Sequence, residues 1–176
     1  MKKVLVVVDM QNDFIDGALG TKEAISIVEN VVNKIKNFDG KILATLDTHQ
    51  GNYLETSEGK KLPVPHCIRM TKGWLLNEKI MEALNSKGYK IIEKKTFGAI
   101  KLVNEIRRIK CNNDVEIEFI GVCTDICVIS NVLLLKAYFP EIKMIVDANC
   151  CAGVTPDSHK AALDTMKMCQ IDVIGG

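Results

Sequence analysis

The sequence predicts an α/β fold in three layers, a six-stranded parallel sheet with helices on both faces. Two observations lead there. Apolar, β-branched runs of strand length alternate with segments of helical period along the whole chain. The first such run, "KVLVVVDM", is nearly continuous in apolar character, as in a strand covered on both sides.

The elements follow in order. Residues 3–10 form the first strand. Asp9 interrupts the run after "VLVVV" and no small-residue cleavage site follows, so this is a strand and not a signal peptide. From Thr21 to Phe38, Ile25, Val28, Val32 and Ile35 keep helical spacing, and Asp39-Gly40 supplies the stop. "KILATLDT" (41–48) is the second strand. Residues 49–73 show no period and carry Pro63, Pro65 and three glycines; a loop this long in one domain points to function. A helix over 74–86, with Trp74 as a core residue on it, precedes the strand "KIIEKK" (90–95). A helix over 99–110, a strand "EIEFIGV" (116–122), a helix over 125–137 and a strand "KMIVDANC" (143–150) come next. Thr155-Pro156 reads as N-cap and first residue of a helix over 157–169, and "IDVIG" closes the sheet. No repeat or linker divides the chain, so residues 1–176 form a single domain.

Composition narrows the function. The 176 residues carry 23 basic and 22 acidic side chains with no block of either sign, which argues against nucleic acid or an anionic membrane surface as partner. No apolar run is long enough to span a bilayer. Seven cysteines in a chain with a full core fit a reducing cytoplasm better than a disulfide framework. "GALG" (17–20) lacks the spacing and the lysine of a phosphate loop, so no nucleotide cofactor is expected. A homo-oligomer is the expected assembly.

In a parallel sheet with right-handed crossovers, binding sites lie at the strands' carboxyl ends. Four groups stand there. Asp9 ends the first strand, and a carboxylate buried at that place requires a cation or proton donor. Lys94 and Lys95 end the third strand and point to opposite faces, so one of them faces the edge. In "GVCTDICVIS" (121–130), Thr124 or Asp125 as N-cap places Cys127 in a first helical turn, where free N–H groups favour a thiolate. A buried small residue, a metal pair with Cys123 and a redox pair are the competing readings of Cys127. Asp47 and His49, two apart in extended chain, share a side, and His66 can fold back to meet them. Together they offer a metal site with open positions, or ordinary loop hydrogen bonds. His159 is read as a surface residue; Cys150-Cys151 as packing, and Cys111 and Cys169 as filler.

These segments resemble the isochorismatase-like cysteine hydrolases, in order along nearly the whole chain. "VVVDMQNDF" is similar to their Asp-x-Gln-x-Asp-Phe opening, "GVCTDICV" to their nucleophile segment, and "KKTFGAI" to the stretch that selects Lys94 over Lys95. "DTH" with "PHC" and "TKG" resembles the metal segment of the nicotinamidase branch. The resemblance implies strand order 3-2-1-4-5-6 and a catalytic set of Asp9, Lys94 and Cys127. It also implies an oxyanion hole of the Cys123 and Cys127 N–H groups and a cis Val122–Cys123 peptide. Asp47, His49 and His66, with Glu58 as a further ligand, would hold a divalent Zn, Fe or Mn ion, and Phe14 would line the pocket. The implied reaction is hydrolysis of a small carboxamide such as nicotinamide through a Cys127 thioester. Two departures bear on the substrate: Pro63 stands where nicotinamidases carry a stacking aromatic, a role open to Trp74, and Gln50 follows His49 in place of proline. The alternatives are another small amide, ureido or carbamoyl substrate, and a non-catalytic binding or thiol-redox protein on the same scaffold.

Overall fold

The apolar runs pair side by side, because a strand apolar on both faces is stable only in the middle layer. In the computed structural model, which describes residues 1–111 and 114–175, six strands form one parallel sheet in the order β3-β2-β1-β4-β5-β6. They are β1 (Lys2–Val8), β2 (Lys41–Asp47), β3 (Lys90–Lys94), β4 (Val115–Val122), β5 (Lys143–Ala152) and β6 (Asp172–Ile174). The fold class and the strand order are as the sequence led us to expect. Strand order reverses between β1 and β4, and the crevice at their carboxyl ends is where a parallel sheet offers a binding site.

Helices are α1 (Asn12–Ile15), α2 (Lys22–Ser26), α3 (Val28–Asn37), α4 (Ser57–Lys61), α5 (Glu78–Lys87), α6 (Ile100–Lys110), α7 (Ile129–Tyr138) and α8 (Pro156–Met168). Strand alternation sends Val4, Val6 and Val8 to one core with Leu102 and Ile106 of α6, Val132 and Leu135 of α7, and Met166 of α8. Leu5 and Val7 face the other core, with Val31 and Ile35 of α3 and Ile80 and Leu84 of α5. The second face is not apolar throughout. Toward the start of β4 it carries Glu116 and Glu118, and Lys34 of α3 reaches Glu118 at 2.6 Å and Asp147 at 2.7 Å. β1 and β4 approach closely at Gly121 (φ +119°), where a Cβ would stand 2.1 Å from the Val8 carbonyl oxygen. No helix among the described residues is long and apolar enough to cross a membrane.

Three expected elements differ. The helix over 21–38 is two helices that meet at Ile27, which re-phases the first turn and leaves Ile25 54% exposed instead of in the core. The helix over 74–86 begins only at Glu78, capped by the Asn77 side chain on the Lys79 N–H, so Trp74 lies in a loop. The loop 49–73 contains a 3-10 turn (Tyr53–Glu55) and α4, capped by Thr56.

Candidate active site

β1 delivers Asp9 to the reversal point in a left-handed conformation (φ +48°), which Asp tolerates better than most residues. Thr45 of β2 fixes it twice. Its hydroxyl accepts the Asp9 N–H at 3.2 Å and donates to Asp9 Oδ1 at 2.6 Å. Asp9 Oδ2 lies 2.7 Å from Lys94 Nζ, without the angles of a hydrogen bond to any described residue. Lys94 is paired in register with Asp47 on β2, so both side chains leave the sheet at one level. Its ammonium also reaches Asp47 Oδ1 at 3.3 Å and Cys127 Sγ at 3.4 Å. Lys95, on the opposite face, is exposed, as strand alternation requires.

Cys127 does not sit in an ordinary first helical turn. Residues Thr124–Val128 form a π turn, in which the N–H groups of Val128 and Ile129 reach the carbonyls of Cys123 and Thr124. Neither Thr124 nor Asp125 is the N-cap; Cys123 is, with no side-chain cap. Thr124 instead bonds His159 Nδ1 at 2.8 Å, and Asp125 accepts the Val154 N–H. His159 is therefore half-buried against the Thr124–Val128 turn and not a free surface residue. Its polar partner there is a short hydroxyl that no periodic pattern reveals. The Val122–Cys123 peptide is cis, as the resemblance implied.

Electrostatics tie the three groups into one unit. Burial pushes the Cys127 thiol well above its ordinary pKa, and the Asp9 carboxylate beside it pushes further. Burial likewise raises Asp9, against the pull of Lys94. Burial alone would lower Lys94, but Asp9, Cys127 and Asp47 outweigh it and keep the ammonium charged. The set thus places two groups whose pKa values are raised by burial, the Asp9 carboxyl and the Cys127 thiol, beside one charged ammonium.

The second cluster abuts the first. Asp47 turns one oxygen toward Lys94 and the other, Oδ2, toward His49 Nε2 at 3.0 Å and His66 Nε2 at 3.8 Å. Glu58 Oε1, carried in by α4, stands 3.7 Å from each of the same nitrogens. The four ligand atoms lie within 4.8 Å of one another. A tetrahedral ion bound at 2.0–2.2 Å would need edges of about 3.3–3.6 Å, so the set fits a divalent metal with only small adjustments. His66 Nδ1 donates to the Val64 carbonyl at 2.8 Å, which leaves Nε2 as the nitrogen that could ligate an ion. His49 is pulled down by burial, but Asp47 and then Glu58 hold its pKa above the usual imidazole value.

Several positioning residues escape sequence reasoning. Gln11 is fully buried and clips Asp47 from both sides: its amide donates to the Asp47 carbonyl at 2.9 Å and the Trp74 carbonyl at 2.7 Å, and accepts the Asp47 N–H at 2.7 Å. Asp13 Oδ2 accepts the Cys67 N–H at 2.7 Å and so holds the segment that carries His66. The Tyr53 ring packs edge-on to His49 and His66, with centroids 4.7 and 5.0 Å away. Phe14 lies 5.5 Å from the His66 ring, next to the cluster. Trp74 is half-buried and donates its indole N–H to Thr48 Oγ1 at 2.9 Å, while Pro63 is exposed. The Asp-x-Gln-x-Asp spacing was the available signal for Gln11 and Asp13; nothing in the sequence marks Tyr53.

Known proteins share this fold. A curated relative from Bacillus subtilis (strain 168), described as an uncharacterized isochorismatase family protein PncA, is 29% identical over 174 residues, 93% of each chain. The crystal structure of nicotinamidase/pyrazinamidase PncA from Bacillus subtilis matches with a TM-score of 0.85 at 26% identity, covering 98% of this chain and 99% of that one. The pyrazinamidase of Pyrococcus horikoshii, solved in complex with zinc, matches with a TM-score of 0.78 at 25% identity over 100% of both chains. The isochorismatase-domain family model matches residues 3–175, a span that takes in nearly all of the six-stranded sheet. The chain belongs to the isochorismatase family.

Proposed function

We propose that this protein is a nicotinamidase-like cysteine amidohydrolase, cleaving a small carboxamide to the acid and ammonia. One observation carries the reading. Asp47 gives one oxygen to the ammonium that pairs Asp9 and Cys127 and the other to the histidines of the ligand cluster, so reacting groups and metal cluster form a single site.

The chemistry follows from a thiol and a carboxyl that meet at one ammonium. Asp9 takes the thiol proton as Cys127 attacks the amide carbon, and Lys94 stabilises whichever of the two carries the charge. The Cys123 and Cys127 N–H groups are the donors for the oxyanion of the tetrahedral adduct. Collapse breaks the C–N bond, Asp9 gives its proton to the leaving ammonia, and a thioester remains. Water then attacks the thioester, Asp9 accepts its proton, and the proton returns to sulfur as the acid leaves. A carboxylate whose pKa is raised by burial suits both directions of transfer. Asp47, His49, Glu58 and His66 would hold a divalent Zn, Fe or Mn ion, which supplies a Lewis-acid point for orienting a ring nitrogen or a water. Phe14 is the pocket residue of this reading, and nicotinamide and pyrazinamide are the first substrates to try. Pro63 in place of a stacking aromatic, and its exposure, favour a second reading with another small amide, ureido or carbamoyl compound. A cytoplasmic homo-oligomer of single domains belongs to the same proposal.

Ammonia release from a panel of nicotinamide, pyrazinamide and carbamoyl compounds tests it. The expected result is turnover of a carboxamide that Cys127→Ala abolishes. Release from carbamoyl compounds alone would favour the second reading, and no release from any member would refute both.

A further inference from the structure

The sequence reading gave no role to Asn131, yet it is a fully buried polar residue one helical turn beyond the nucleophile. Its side chain joins two chain segments. Nδ2 donates to the Cys127 carbonyl at 2.7 Å and to the Phe97 carbonyl at 3.1 Å, and Oδ1 accepts the Ala99 N–H at 2.8 Å. Phe97 and Ala99 belong to the short segment that continues from Lys94 into α6. That segment is closed on itself by Thr96, whose hydroxyl donates to the Gly98 carbonyl at 2.8 Å. It also lies flat on α7: a Cβ on Gly98 would meet Leu134 Cδ2 at 3.2 Å and the Ser130 carbonyl at 3.4 Å. The other end is pinned where Thr48 N–H donates to the Lys94 carbonyl at 2.9 Å.

We propose that Asn131 is a positioning residue that sets the register between Lys94 and Cys127 by tying the segment after Lys94 to the nucleophile turn. The need for such a tie is physical. A π turn is a local departure from the regular helical ladder, so its geometry depends on outside contacts. The Lys94–Cys127 approach of 3.4 Å joins groups on different elements, and a misplacement of about 1 Å can cost as much as 100-fold in rate. An amide is the side chain for this place, because it offers donors and an acceptor at once without charge.

The inference rests on the amidohydrolase reading for its kinetic consequence, but its test does not. Asn131→Thr is the informative variant. A threonine hydroxyl in a helix bonds back to the carbonyl four residues earlier, so the contact with Cys127 is kept while both bonds to the 97–99 segment are lost. Asn131→Ala removes all three. Iodoacetamide labelling of Cys127, read by peptide mass spectrometry across pH, reports thiolate stabilisation without any substrate, and thermal unfolding verifies the fold. For Asn131→Thr we expect a folded protein whose Cys127 labelling profile moves to higher pH. Its kcat should fall about tenfold or more with KM within about twofold. A wild-type labelling profile in folded Asn131→Thr overturns the positioning role, whatever the kinetics. A shifted profile in a protein without amidase activity would keep that role and reject the amide reading instead.

Discussion

Replacing Gln11 by methionine tests how the site is built from beneath. The two side chains have similar length, so little cavity forms and the loss falls on hydrogen bonds. Three hydrogen bonds disappear, two buried ones to the Asp47 backbone and a part-buried one to the Trp74 carbonyl. At about 1 kcal/mol each the net loss is about 3 kcal/mol. The buried Asp47 N–H is left without its partner, which keeps the cost from falling below that figure. For a domain of this size about 3 kcal/mol corresponds to a fall in Tm of roughly 6–12 °C. With a urea m-value of about 2 kcal/mol/M the midpoint falls by about 1.5 M. Urea and thermal unfolding of both proteins measure the difference, with the m-value serving to verify an unchanged unfolded state. A loss below about 1 kcal/mol would show that the Gln11 clip is dispensable, and with it the claim that Asp47 is held from the β1 side.

Further outcomes concern charge and metal. Thr45→Val removes the hydroxyl that donates to Asp9, a contact that lowers the carboxylate's pKa, so the acid limb of the kcat/KM profile should move to higher pH. The same change leaves the Asp9 N–H without its acceptor and should cost about 1–3 kcal/mol in chemical unfolding. Glu105 is buried between Lys90 and Lys41; the Lys90 hydrogen bond is the main influence, and its pKa is depressed despite burial. Its stabilising contribution is full above the unfolded glutamate pKa of about 4.3 and is lost as pH falls through the lower folded value. Glu105→Gln should therefore be less stable than wild type at neutral pH, and the gap should close in strong acid. If the ligand cluster holds a divalent ion as proposed, elemental analysis should find it in the wild type and not in His66→Ala. That variant should also lose the stabilisation of about 2.7 kcal/mol that a metal at 100 times its Kd gives the wild-type fold.

Much of this was legible in the sequence, for reasons that differ by residue. The central strands announce themselves because burial on both faces demands continuous apolar runs, and Asp9 and Lys94 stand out as charges at the ends of such runs. Asp47, His49 and His66 were legible as ligand-type residues beside a long loop, and Glu58 joins them because α4 brings it there. The break at Ile27 was not legible, since residues 25, 28, 32 and 35 fit one continuous helix and one re-phased turn removes only the first from the core. The start of α5 was in principle readable, because Asn77 before Glu78 is a cap followed by an acidic first turn. Gln11, Thr45 and Asn131 act through partners up to 63 residues away, and an amide or hydroxyl gives no hint of its role until that partner is placed. Glu116 and Glu118 did alternate with Ile117 and Phe119, a pattern that marks one partly polar face of β4.

The most direct test of the shared Asp9–Lys94–Cys127 unit is acid quenching during turnover of a carboxamide substrate, followed by peptide mass spectrometry. The account predicts a thioester, one acyl group added to the peptide containing Cys127 and absent from Cys127→Ala. Ammonia release by the Cys127→Ala protein at the wild-type rate would contradict it.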